Sequence, residues 1–240
     1  MLKGCDISRY QQNKVDLSKF DFVIIKASEG CDIKDKYLDV HYNTLSGRTD
    51  GKPAKDKLYG FYHYARPEYN NAKDEARWFV SLVGHHMGHC VYALDWEAEA
   101  LKYPITWAKE WLDEVYRLTG VRPLIYCSAS YAKNLQLILD GNYGLWVAHW
   151  DVSVDDVITG VYPTWAFWQY QGSPLDLNLF NGTEEQFRKY CWSSIKPTEE
   201  QTTREKFEER VNLYFERMCT DLNDTYGYGK EQILKYLLGE

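Results

Sequence analysis

The sharpest chemical signal in the chain is Asp95-Trp96-Glu97, two carboxylates one residue apart at the end of the apolar run Cys90 to Trp96. If that run is a strand, residues i and i+2 face the same side, so both carboxylates project together. Charging both at close range is unfavourable, and one pKa rises. A protonated carboxyl beside an ionised one is what cleavage of a glycosidic bond needs: an acid for the leaving oxygen and a negative charge for the oxocarbenium-like state. Asp6, at the end of Leu2 to Ile7, and Asp176, in Leu175 to Phe180, add two more carboxylates at the ends of apolar runs.

These acids have to be positioned by a scaffold. Apolar runs occur at Leu2 to Ile7, Phe22 to Ile25, Leu58 to Tyr64, Cys90 to Trp96, Pro123 to Cys127, Leu145 to Ala148, Trp165 to Tyr170 and Leu175 to Phe180. Continuous runs of this length suit strands buried on both faces. Between them, Ala76, Phe79, Val80 and Val83 fall at helical spacing. So do Ala108, Trp111, Leu112 and Val115, with Gly120 placed to end that helix, and Ala132, Leu135 and Leu139. Strands alternating with helices predict an α/β fold, an irregular TIM-like (β/α) barrel in which some crossovers are short or lack helices. Working residues of such barrels sit where strands end. That rule gathers Lys26, Glu29, Tyr62, His63, Tyr126, Trp150, Trp168 and Gln169 around the four carboxylates.

The bulk properties narrow the partners. The 240 residues carry a net charge of −7 without a basic stripe, which argues against nucleic acid. No apolar run approaches a membrane span, so no membrane insertion is expected. The start, Met1 to Asp6, has no signal-peptide apolar region, so the chain is expected to fold in a cytoplasm. The six cysteines are read as reduced thiols, and Cys127 has no nucleophile signature. His85-His86-Met87-Gly88-His89 is read as a solvated loop, not a metal site. Aromatics reach 16%, which suits both a barrel core and the stacking of sugar rings. After a barrel over residues 1–192, a polar linker spans 193–203. Phe207, Val211, Tyr214, Phe215, Met218 and Leu222 then open a helical hairpin over 204–240. Its apolar stripe fits docking on the barrel, homo-oligomer formation or ligand binding alike.

At this point seven blocks, in order, resemble glycoside hydrolase family 25, the Chalaropsis-type lysozymes. They are Gly4-Cys5-Asp6-Ile7-Ser8, Ile25 to Gly30, Gly60 to Tyr64, Ala93 to Glu97, Leu145 to Ala148, Trp168-Gln169-Tyr170 and Asp176-Leu177-Asn178. The resemblance implies cleavage of the β-1,4 bond between N-acetylmuramic acid and N-acetylglucosamine in bacterial peptidoglycan, as in phage endolysins. It implies Glu97 as general acid, with Asp95, Asp6 and Asp176 completing the acidic site. Tyr62 and Tyr126 would approach the reacting sugar, and Trp168 and Gln169 would line the floor. It implies no metal, no cofactor and retention of configuration, with either a protein carboxylate or the substrate's own acetamido group as nucleophile. The DxE strand end, shared with acetamido-assisted glycosidases, favours the second, with Asp95 or Asp176 positioning that group. Two departures stand out: Tyr10 replaces a frequent Trp, and only five residues separate Tyr170 from Asp176, which predicts a trimmed wall there. A chitinase-type strand would need Asp at the positions of Cys90 and Ala93. A non-catalytic wall-binding barrel would be expected to lack one of the four acids.

Overall fold

The computed structural model describes residues 1–194. The predicted linker from residue 195 on, and the hairpin over 204–240, lie outside them. The strands are β1 (Leu2–Ile7), β2 (Phe22–Glu29), β3 (Ile33–Lys34), β4 (Leu58–Tyr64), β5 (Val91–Asp95), β6 (Leu124–Ser128), β7 (Gly144–Ala148), β8 (Phe167–Gln171) and β9 (Asp176–Phe180). Eight of them close on themselves in the order β1-β2-β4-β5-β6-β7-β8-β9, because β1 pairs with both β2 and β9, while β3 is a short antiparallel extension of β2. This is the irregular TIM-like barrel expected from the apolar runs.

One strand departs from the parallel arrangement. β9 runs antiparallel to both β8 and β1. Residues 172–175 between β8 and β9 are too few for a parallel crossover, which takes a dozen or more residues, so the chain turns back as a hairpin. The reversal serves the site. β1 ends at the barrel mouth, β9 begins there, and Asp6 comes directly opposite Asp176.

Strand alternation divides the core in two. Phe22, Ile24, Val91, Ala93, Leu124, Trp146, Phe167 and Phe180 fill the barrel interior. Val23, Ile25, Tyr92, Leu94 and Ile125 face the surrounding helices. Gly60 is required by the inner layer: a Cβ there would come within 2.4 Å of the Val91 side chain and 2.8 Å of its carbonyl oxygen. At the end opposite the mouth, α5 (Glu184–Tyr190) plugs the barrel by setting Phe187 against Phe22, Phe167 and Phe180, with ring centroids 5.2–5.5 Å apart.

The outer helices are α1 (Leu38–Ser46), α2 (Ala72–Val83), α3 (Ile105–Thr119) and α4 (Gln136–Leu139). The Asn71 side chain caps α2 by accepting from Asp74 N–H, and Gly120 ends α3 in the left-handed conformation at φ 69°. The helix predicted around Ala132 to Leu139 is a short 3₁₀ turn followed by α4, and the β7–β8 crossover carries no α-helix. The run His85 to His89 is not a solvated loop throughout. His86 is buried among Tyr42, Tyr59 and Phe61 and is hydrogen-bonded to the Tyr59 hydroxyl, so its aromatic surroundings hold it in the core.

Candidate active site

Beyond Asp95 the chain leaves β5 but stays extended. Trp96 N–H donates to the Tyr126 carbonyl at 3.0 Å, and Glu97 has φ −146° and ψ −176°. Alternation therefore persists past the end of the strand. Asp95 and Glu97 both face a cavity of about 440 Å³, while Trp96 is fully buried on the other side, stacked 5.6 Å from Trp107. Ala98, in the left-handed region at φ 49°, then turns the chain away. Asp6 and Asp176 line the same cavity, together with Lys26, Glu29, Tyr62, Tyr126, Trp146 and Gln169.

Asp6 is held by two side-chain amides. Its Oδ2 accepts from Asn178 Nδ2 at 2.6 Å and from Gln169 Nε2 at 3.0 Å. Each amide is oriented from its other end. Asn178 Oδ1 accepts the Trp146 indole N–H at 2.8 Å, and Gln169 Oε1 accepts the Tyr126 hydroxyl and the Trp150 indole N–H, each at 3.1 Å. Neither amide can flip without losing these bonds, so two N–H groups stay aimed at the carboxylate. Trp146 packs edge-on against Tyr126 at 4.9 Å and Tyr62 at 6.2 Å, making an aromatic wall beside the acids.

All four carboxylates are pushed above the usual range. For Asp95 and Glu97 the main cause is burial, with the positive charge of Lys26 pulling each back down. Asp95 Oδ1 is buried without a hydrogen-bond partner among the described residues, which further disfavours its charged form. Burial first, then the charge of Asp176, raises Asp6 to about 8 against the pull of the two amides. Asp176, less buried, rises to about 6, again mainly through burial. Such a cluster carries protons at neutral pH, so it holds an acid and a carboxylate side by side.

The remaining predicted residues separate by strand parity. Lys26 and Glu29 are on the cavity wall as a mutual ion pair at 2.9 Å. Trp150 stands half exposed at the rim, over Gly172, where a Cβ would come 2.5 Å from its indole. Two placements need correcting. Trp168 is not on the floor: it alternates with Gln169, points outward and donates its indole N–H to the His149 carbonyl. His63 alternates with Tyr62 and is fully buried between sheet and helices, stacked on Trp111. Burial lowers the His63 pKa. Its Nε2 is hydrogen-bonded to Glu75 at 2.7 Å and its Nδ1 to the Ser28 hydroxyl at 2.8 Å. Tyr64 lines the cavity and Asn178 supports Asp6, while Trp146 also lines the cavity and was not singled out for it from sequence. Trp146 is legible only once β7 is in register with β6, opposite Tyr126.

The family model of Glycosyl hydrolases family 25 matches residues 5–176. Lysozyme M1 of Streptomyces globisporus is 28% identical over 209 residues, 76% of this chain and 68% of that protein. YegX of Escherichia coli strain K12 is 29% identical over 221 residues, 82% of this chain and 75% of that protein. Among solved structures, a family GH25 lysozyme from Aspergillus fumigatus is 25% identical at a TM-score of 0.65, covering 80% of this chain and 99% of that one. A bacterial lysozyme from Streptomyces coelicolor is likewise 25% identical with a TM-score of 0.65, covering 79% of this chain and 96% of that one.

Proposed function

The chain belongs to glycosyl hydrolase family 25 and is a peptidoglycan-cleaving glycoside hydrolase, and we propose that it is an N-acetylmuramidase with Glu97 as its general acid. The observation that carries this reading is the convergence of Asp6, Asp95, Glu97 and Asp176 on one cavity, with burial raising all four. Protonated Glu97 donates to the glycosidic oxygen as the bond to the N-acetylmuramic acid ring breaks. The neighbouring carboxylates stabilise the positive charge that develops on that ring. Asp95 or Asp176 orients the substrate's acetamido group to attack the anomeric carbon, and Glu97, now deprotonated, takes a proton from the incoming water. Tyr62, Tyr126 and Gln169 bound the reacting sugar, and Trp150 offers a ring face at the rim.

The test is reducing-end analysis of digested walls, with wild type beside Glu97→Gln. New N-acetylmuramic acid ends from wild type alone support the reading. N-acetylglucosamine ends would make the enzyme a glucosaminidase. A covalent glycosyl adduct trapped on Asp95 or Asp176 would overturn the acetamido step.

The place of action proposed with this is the bacterial cell wall, reached on release from a host cytoplasm. No helix among the described residues is long and apolar enough to cross a membrane. For residues 204–240 the proposed roles are docking on the barrel, self-association or wall binding. Solution sizing and wall sedimentation, with and without residues 197–240, separate the three.

A further inference from the structure

The cavity wall carries three cations, and they are not equivalent. Lys26 is bound to Glu29 at 2.9 Å. Arg66 is bound to Glu29 at 2.9 Å and to Glu68 at 2.7 Å. Arg9 also lines the cavity, but among the described residues no carboxylate lies within ion-pairing distance of its guanidinium. Its side-chain hydrogen bond is to the Tyr10 hydroxyl, at 3.3 Å, with the guanidinium 5.2 Å from the Tyr10 ring centre. That ring is three-quarters exposed. The backbone beneath is fixed: Arg9 N–H donates to Asp35 Oδ2 at 3.1 Å, Tyr10 N–H to Ser8 Oγ at 3.3 Å, and Gln12 N–H to the Arg9 carbonyl at 3.3 Å.

The rest of the wall carries the carboxyl groups of Asp6, Glu29, Asp95, Glu97 and Asp176. Peptidoglycan is itself an anionic polymer, with a lactyl group on every second sugar that bears either a free carboxylate or a stem peptide with carboxylates of its own. Such groups are repelled from the acidic end of the cleft and attracted to a cation that has no carboxylate partner among the described residues. A guanidinium offers a carboxylate two parallel N–H donors, and the exposed Tyr10 ring gives the adjoining apolar atoms a surface to pack on.

Resting on the muramidase reading, we propose that Arg9, backed by Tyr10, is the subsite that receives a substrate carboxylate and makes the enzyme selective for anionic glycan. The experiment compares wild type, Arg9→Gln and Arg9→Lys on soluble glycan in two forms, stem-bearing and stem-free with the lactyl acid exposed. Each form is assayed with carboxylates free and with carboxylates capped as methylamides. Wild type is expected to favour the free over the capped form by about three- to tenfold in kcat/KM, mostly through KM. Arg9→Gln should bring that ratio near one, with Arg9→Lys between. Loss of selectivity on stem-bearing glycan alone assigns the carboxylate to the peptide, and loss on stem-free glycan alone assigns it to the lactyl group. A wild-type ratio of one on both, or an Arg9→Gln loss equal on free and capped glycan, overturns the subsite and leaves the muramidase standing. No cleavage of any form by wild type overturns the muramidase reading itself.

Discussion

The four carboxylates do different work because their surroundings differ, and Lys26 tunes two of them, Asp95 and Glu97. Its ammonium lowers both Asp95 and Glu97 against the upward push of burial. The alkaline limb of activity reports loss of the proton from the general acid. Lys26→Met removes the counter-charge, so Glu97 should stay protonated to higher pH and the alkaline limb should move upward. Lys26→Arg should leave the limb near its wild-type position. A pH profile of kcat/KM on solubilised glycan checks this, and an unmoved or downward-shifted limb in Lys26→Met would show that Glu97 does not set it. Glu97→Gln should lower kcat by about 10²–10⁴-fold, the usual worth of a general acid, while sedimentation with intact walls stays unchanged.

At the scale of the elements, helix α2 fixes the segment that brings Arg66 to the cavity. Glu75, fully buried on α2, is hydrogen-bonded to His63 Nε2 and accepts from Arg66 N–H at 3.1–3.2 Å and from Asn70 Nδ2 at 2.9 Å. Glu75→Ala would leave these donors buried and unpaired, at a cost of about 3 kcal/mol in unfolding free energy. Denaturant titration measures it, and a loss below about 1 kcal/mol would mean the segment finds other partners. Much of this level was legible in the chain itself. The apolar runs mark all eight barrel strands, since strands buried on both faces leave an unbroken apolar signature. Gly120 marks the end of α3. Parity was not legible. Trp168 and Gln169 are neighbours in one strand, so only one of them can face the mouth, and it is the antiparallel pairing of Gln169 with Asn178 that decides which. The same holds for Tyr62 against His63. The direction of β9 follows from the four-residue turn before it, a length visible in sequence but informative only once both flanking runs are known to be adjacent strands. That the Arg9 guanidinium has no ion-paired carboxylate among the described residues depends on long-range contacts that no local pattern encodes.

For the molecule as a whole, the acidic mouth is a stability cost that the barrel carries for the sake of its chemistry. Asp6 is nearly buried where β1 meets β9, opposite Asp176, and the fold raises its pKa from 3.8 to about 8. Between those values the folded chain holds a proton that the unfolded chain has released. Unfolding free energy from this group must then fall as pH rises through the window, the reverse of an ordinary salt-bridged aspartate. Asp6→Asn removes the ionisation, and its Oδ1 can still accept from Gln169 and Asn178. The variant should lose activity and gain stability. The gain should vanish below about pH 3, where the wild-type carboxyl is neutral in both states, and should grow towards pH 8, reaching roughly 3–8 °C in Tm. Thermal unfolding of wild type and variant across that range decides the matter. A gain that is constant with pH would trace to packing alone. A variant destabilised at pH 8 would mean that ionised Asp6, held by its two amides, supports the closure of the barrel between β1 and β9.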